Sequence, residues 1–244
     1  MKCPRIHIPQ PLLPGERLLL PVAIANHVRV LRLRPGDPLQ LFNGEGGEYA
    51  ARLLRLERRE VEVEIGAFSA RERESPVQIT LLQGISKGER MDYTIQKAVE
   101  LGVSRILPVF SQRSVVQLDG ERLRKRHEHW TGVVVAACEQ SGRNRLPQLL
   151  PPQELAAAWS GLDEGLRLVL DPTGSVSLQA LQQQPTAKAV TLLIGPEGGL
   201  DAEEIEQAVS QGFQRLLLGP RVLRTETAGV AALAALQLLM GDLG

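Results

Sequence analysis

The chain has only two cysteines in 244 residues, Cys3 and Cys138, with no CxxC pair and no metal-ligand spacing. That scarcity excludes a disulfide scaffold and a zinc ribbon, and it fits two reduced thiols in a cytoplasmic protein. No apolar run reaches bilayer-spanning length, and residues 1–9 lack the apolar core of a secretory leader. The expectation is a cytoplasmic chain with no membrane segment and no metal. Charge of one sign is also missing, because 28 Lys and Arg face 28 Asp and Glu. A zero balance excludes an indiscriminate polyanion binder, so a nucleic-acid surface has to come from local clustering. Neither a GxxxxGK[ST] phosphate loop nor a GxGxxG dinucleotide fingerprint occurs. The four histidines, His7, His27, His127 and His129, show no spacing that pairs them with a cysteine or serine nucleophile.

What is present is enough apolar content, 43%, for sizeable cores, and enough length for two domains. Residues 1–70 read as short strands with one brief helix: Arg5–Ile8, Arg17–Leu20, a helix over Ile24–Leu33, then Leu39–Phe42, Tyr49–Leu56 and Glu60–Ile65. This pattern predicts a small β-barrel. Residues 71–76 carry almost no apolar content and read as a linker. From residue 77 to 244 strands alternate with helices, which predicts an α/β domain whose mostly parallel sheet is covered on both faces.

The most informative stretch lies near the end. The apolar run Val190–Ile194 stops in Gly195-Pro196-Glu197-Gly198-Gly199, and Leu216–Leu218 stops in Gly219-Pro220. Asp201 and Glu204 have capping-box spacing, so a helix starts just after the first loop. Thr225 is placed to cap the final Ala/Leu helix, near whose N-terminus Arg221 and Arg224 sit against the local dipole preference. Two strands ending in glycine loops that feed helices put a ligand at the carboxyl edge of the sheet. Other polar stretches are less specific. Glu121–His127 is the most basic run, either a solvated helix face or an RNA-contacting one, and Trp130 on that helix reads as core. Cys138–Arg145 forms a polar, arginine-bearing loop at the helix end.

Taken in order, several of these segments resemble the SPOUT class of methyltransferases. Within it they are most similar to the bacterial 16S ribosomal RNA uridine-N3 methyltransferase family, also called ribosomal RNA small subunit methyltransferase E. The resemblance is carried by Ile194–Gly199, Leu218-Gly219, Leu223–Ala228, Lys87–Met91, Gln96–Gly102 and Glu139–Arg143. In the first module it is carried by Arg5, His27–Arg32, Gly36-Asp37 and Leu41–Gly44. It spans essentially the whole chain, with Cys138 standing where the family pattern has a small residue such as alanine.

The resemblance implies a PUA-like RNA-binding barrel followed by a trefoil-knotted SPOUT domain, S-adenosyl-L-methionine as cofactor, 16S rRNA of the small ribosomal subunit as partner, and a homodimer. It assigns the cofactor to Gly195, Glu197, Gly198, Gly199, Leu218, Gly219, Leu223, Thr225 and Ala228. It suggests RNA contacts at Arg5, His27, Arg29, Arg32, Lys87, Arg122, Arg145 and Arg221. A uridine N3 is a weakly acidic imide nitrogen, so guanidinium groups beside its carbonyls would stabilise the anion formed on attack. Arg224 and Arg143 are the expected cations and Glu139 the expected proton acceptor. Two other readings stay open: a SPOUT enzyme acting on transfer RNA or a ribose 2′-hydroxyl, and a non-catalytic RNA-binding protein.

Overall fold

The computed structural model describes residues 3–30, 32–57, 60–114, 119–183 and 187–244, with the side chains of Ala23 and His27 left aside. The chain forms two compact units, residues 1–74 with 138–146, and residues 75–137 with 147–244. In the first unit the elements are β1 (Arg5–His7), β2 (Arg17–Leu19), α1 (Val22–Val30), β3 (Pro38–Phe42), β4 (Glu48–Leu56) and β5 (Val61–Ser69). They form one sheet in the order β1-β3-β4-β5-β2, parallel between β1 and β3 and antiparallel elsewhere. Strand alternation explains the core: Val61, Val63 and Ile65 of β5 are buried, with Leu39, Leu41, Leu53 and Val28 around them. The helix expected over Ile24–Leu33 starts earlier and stops at Val30, and Arg32 takes a left-handed φ of 55° that no helix continues.

Residues 138–146, which the sequence reading places in the second domain, cluster with the first unit instead. Buried polar bonds hold them there. Arg5 pairs with Glu48, and both are almost wholly buried. The Arg5 guanidinium also donates to the Asn144 side chain and to the Arg143 carbonyl. Arg143 in turn pairs with Glu74. The expected linker is therefore structured up to Glu74: Glu72 accepts from the Gly47 amide at 2.7 Å, and Arg73 donates to the Gly142 carbonyl at 2.6 Å. Cys138 is buried, and burial pushes its thiol up to about 12, so it carries no thiolate near neutrality.

The second unit contains β6 (Gln78–Gly84), α2 (Glu89–Glu100), β7 (Arg105–Phe110), most of α3 (Gly120–Ser141), β8 (Gln148–Leu149), β9 (Gln153–Glu154) and α4 (Leu155–Ala158). It continues with β10 (Leu166–Leu170), β11 (Val176–Ser177), α5 (Leu178–Gln182), β12 (Ala189–Ile194), α6 (Ala202–Ser210), β13 (Gln214–Leu217) and α7 (Thr225–Met240). The strand order is β11-β13-β10-β12-β6-β7-β8, with β9 also on β7, and every pairing is parallel. The central strands read as unbroken apolar runs because both faces are covered. Leu82, Leu193 and Val169 pack with Leu155, Ala208 and Phe213 on one face. Gly229 of α7 lies over Ile194, Gln83 and Thr94 on the other. Trp130 is core, its indole N–H donating to Asp92 at 3.1 Å. The short elements β8, β9, β11, α4 and α5 have no expectation in the sequence, being too brief to show a period.

Removing one partner of a buried ion pair leaves the other charge stranded. Arg5→Ala is therefore expected to lower the unfolding free energy by about 3 kcal/mol, measured as a shift in the urea midpoint.

Candidate functional site

One cavity of about 580 Å³ opens at the carboxyl ends of β12, β10 and β13, within the second unit. Sheet order explains why three loops meet there. β10 lies between β12 and β13, so the Gly195 and Gly219 loops flank the turn that follows Leu170. Leu170, Ile194, Leu216, Leu217, Leu218 and Leu223 supply apolar wall. The first loop closes in a turn, Gly199 donating its amide to the Pro196 carbonyl at 2.9 Å, with Gly199 at φ 70°. A Cβ on Gly195 would stand 2.7 Å from the backbone of Gly199 and Leu200, so only glycine allows this fold of the loop.

The tail is tied back to that loop from α7. Thr225 is buried and its hydroxyl donates to the Gly195 carbonyl at 2.6 Å, while Gln83 donates to the same hydroxyl at 3.2 Å. This corrects the expectation that Thr225 caps α7. The N-cap residue is Arg224, whose guanidinium has no acceptor to offer a backbone N–H, and the hydroxyl of Thr225, the first helical residue, is engaged by Gly195 and Gln83. The capping box expected at α6 does form: Asp201 accepts from the Glu204 amide at 2.8 Å, and Glu204 accepts from the Asp201 amide at 2.9 Å.

The polar wall is ordered by ion pairs. Glu197 accepts from the Lys87 amide and from Arg90 Nη1, each at 2.9 Å. Partial burial would raise its carboxyl, but the Lys87 amide, its own amide and Arg90 together outweigh burial and hold it below the ordinary 4.5. Asp171, after β10, accepts from the Thr173 amide and hydroxyl and from Arg215, which outweigh burial and depress its carboxyl too. Arg113 donates to the Gly198 carbonyl at 3.1 Å.

All nine residues assigned to a cofactor, Gly195, Glu197, Gly198, Gly199, Leu218, Gly219, Leu223, Thr225 and Ala228, line this cavity. So do Arg224 and Arg221, both exposed. Arg143 and Glu139 belong to the first unit and line no part of it. The Arg143 guanidinium is buried against Glu74, and Glu139 accepts from the His7 amide at 3.0 Å.

The suggested RNA contacts are dispersed. Arg5 is buried in its ion pair and presents no surface cation, because Nη1 and Nη2 are turned inward onto Glu48, Asn144 and the Arg143 carbonyl. Arg29 donates to Asn26 at 2.8 Å and to the Glu57 carbonyl, and Arg145 pairs with Glu72 at 3.6 Å. Arg32, Lys87 and Arg122 are exposed. The His27 side chain lies outside the described residues.

The sequence reading missed Arg90, Arg113 and Asp171 as wall residues. Asp171-Pro172-Thr173-Gly174 after the apolar Leu166–Leu170 was the available signal, a turn at a strand's carboxyl end. Arg90 and Arg113 reach the site from α2 and from beyond β7, which only the tertiary fold reveals. Because Glu197 has a depressed folded pKa, its contribution is fully present above about 4.5 and is lost as pH falls through the lower folded value. Melting temperature is thus expected to drop on acidification below about pH 4.5. Glu197→Gln should blunt part of that acid limb in a thermal-shift series.

Residues 73–237 match the RNA methyltransferase domain family, and residues 20–66 match the RNA methyltransferase PUA domain. A Buchnera aphidicola (subsp. Schizaphis graminum) protein named ribosomal RNA small subunit methyltransferase E is 36% identical over 99% of this chain and 98% of its own. A ribosomal RNA small subunit methyltransferase E from Neisseria gonorrhoeae, crystallised bound to S-adenosyl methionine, superposes with a TM-score of 0.92 at 41% identity, covering 99% of this chain and 100% of that one. A Legionella pneumophila chain solved with its bound cofactor SAM gives a TM-score of 0.94 at 42% identity, covering 100% of both chains. On this combination of a PUA module, a parallel sheet with a three-loop cavity and full-length similarity, the chain belongs to the ribosomal RNA small subunit methyltransferase E family.

Proposed function

We propose that the protein is an S-adenosyl-L-methionine-dependent methyltransferase that methylates N3 of a uridine in 16S ribosomal RNA of the small subunit. One observation carries the reading. The nine residues assigned to the cofactor from separate sequence segments line a single cavity, together with the exposed arginine assigned to the reaction. The cavity fits such a cofactor in size and character. Its volume of about 580 Å³ is that of a pocket for a nucleoside-sized ligand, and its apolar walls sit beside the backbone of the glycine loops. The names of the relatives with bound S-adenosyl methionine support the same assignment. The return of the tail from β13 across the end of β10 to Gly195 supports a knotted reading of the sheet.

Bound there, the cofactor supplies an electrophilic methyl on a sulfonium. The chain supplies position and charge. Leucines of the β13 loop would exclude water from one side, and the Gly195–Gly199 turn, closed by its Gly199–Pro196 bond, would bring backbone close to a purine. Arg224 sits at the start of α7 with its guanidinium exposed on the cavity wall. Beside a uracil carbonyl it would stabilise the anion formed as the N3 proton passes to solvent water, and transfer of the methyl to N3 would leave S-adenosylhomocysteine. Arg221 and Lys87, exposed near the same loops, are assigned to backbone phosphates.

A homodimer completes the reading. Beyond Glu226, α7 carries no charged residue through Met240, and Leu238 on it is 62% exposed. Among the described residues no helix is long and apolar enough to cross a membrane.

The direct test is incubation of the purified protein with S-adenosylmethionine and small-subunit particles lacking the modification, followed by nucleoside mass spectrometry. 3-Methyluridine in 16S rRNA is expected, whereas a ribose methyl or a methylated transfer RNA would replace the substrate assignment. Arg224→Ala should reduce turnover roughly 100-fold while S-adenosylhomocysteine affinity by calorimetry stays near wild type. Gly195→Ala should abolish that binding, since its Cβ meets backbone that cannot give way.

A further inference from the structure

The carboxylates on the cavity wall use their hydrogen-bonding capacity unequally. Asp171 accepts on both oxygens, from Thr173 and Arg215, and Glu197 accepts twice on Oε1, from Lys87 and Arg90. Glu226 is different. Its side chain is only 16% exposed, and among the described residues it accepts no hydrogen bond. Arg90 Nε stands 4.0 Å from Oε1, close enough for an ion pair and too far for a hydrogen bond. Oε2 is shut off from solvent and has no partner. The first turn of α7 favours a negative charge there, yet helix polarity supplies no donor to the carboxylate. A carboxylate largely withdrawn from water without donors is costly, and its Oε1, the oxygen that faces Arg90 and keeps solvent access, is the one that can take a donor arriving with the ligand.

The neighbouring cation has capacity to spare as well. Arg90 donates one hydrogen bond, from Nη1 to Glu197, leaving its remaining N–H groups unbonded among the described residues. An open guanidinium beside an open carboxylate complements a group with both charges, an α-amino acid. Resting on the cofactor assignment above, we propose that Glu226 and Arg90 hold the amino-acid end of the cofactor. Glu226 accepts from its ammonium and Arg90 donates to its carboxylate. The two side chains come from α7 and α2, so binding also ties the tail helix to the first helix of the unit.

The test compares two probes by calorimetry on the full chain. S-Adenosylhomocysteine carries the amino-acid end, and 5′-methylthioadenosine keeps the nucleoside and sulfur without it. Glu226→Gln preserves shape and removes the charge. It should weaken S-adenosylhomocysteine roughly tenfold, equivalent to about 1.4 kcal/mol, and leave 5′-methylthioadenosine within about twofold of wild type, well inside the error of a charged contact. Arg90→Gln, at a half-exposed position where folding is not at stake, should show the same selective loss. Equal weakening of both probes, or no change in either, overturns the clamp. A wild-type protein that binds neither probe overturns the cofactor assignment itself, and that result is distinct from the first two.

Discussion

The hydrogen bond from the Thr225 hydroxyl to the Gly195 carbonyl is the joint on which the site depends. β13 is separated from β12 by β10, so a chain leaving β13 has to travel back across one strand to reach the Gly195 loop. Thr225 fixes the end of that journey, and Gln83 on β6 fixes Thr225. Gln83 is wholly buried, and among the described residues its side-chain oxygen has no partner, an uncompensated polar atom. Leaving such an atom unpaired costs on the order of 1–3 kcal/mol. A leucine there would fill the space but could not donate to the threonine hydroxyl.

Once that joint is made, the rest of the cavity follows from short-range chemistry. The Gly195 turn brings Glu197 to Arg90 and Lys87, which tie the loop to the start of α2. Arg113 ties its far side through the Gly198 carbonyl. Asp171 and Arg215 join the β10 turn to β13, so the third wall is braced by the strand that lies beside it. The exposed members of these pairs are individually worth little, since solvent screens them. Their effect is geometric, limiting the loops to positions that keep the cavity open.

Much of this was legible in the sequence, and the reason is local. The capping box at Asp201 and Glu204, the glycine turn after Ile194 and the parallel-sheet alternation are all written within a few consecutive residues. The nine cavity residues were found through resemblance of short motifs, and their convergence on one cavity is what the fold adds. What could not be read was long-range. Arg5 and Arg143 are polar, arginine-rich signals that suggest RNA or catalysis, yet Glu48 and Glu74 bury them within the first unit. Residues 138–146 look like the continuation of an α/β domain until Asn144 and Arg145 are seen bonded to Arg5 and bridged to Gly44. Thr225 was placed at a cap by its type, and a tertiary acceptor claimed its hydroxyl.

The same distinction separates the charged residues that build the molecule from those left to act. Arg5, Arg143 and Asp171 are buried with their partners in place, and their charges are neutralised inside the fold. Arg221 and Arg224 stand exposed on the cavity wall, and Glu226 stands largely buried without a hydrogen-bond donor among the described residues. These three occupy one short segment, from the loop after β13 into the first turn of α7. Charges left without a hydrogen-bonded protein partner on a cavity wall have a natural complement in a ligand, whose polar groups can reach them there. That this segment is held in place by Thr225 makes the structural joint and the reactive surface parts of a single turn of chain.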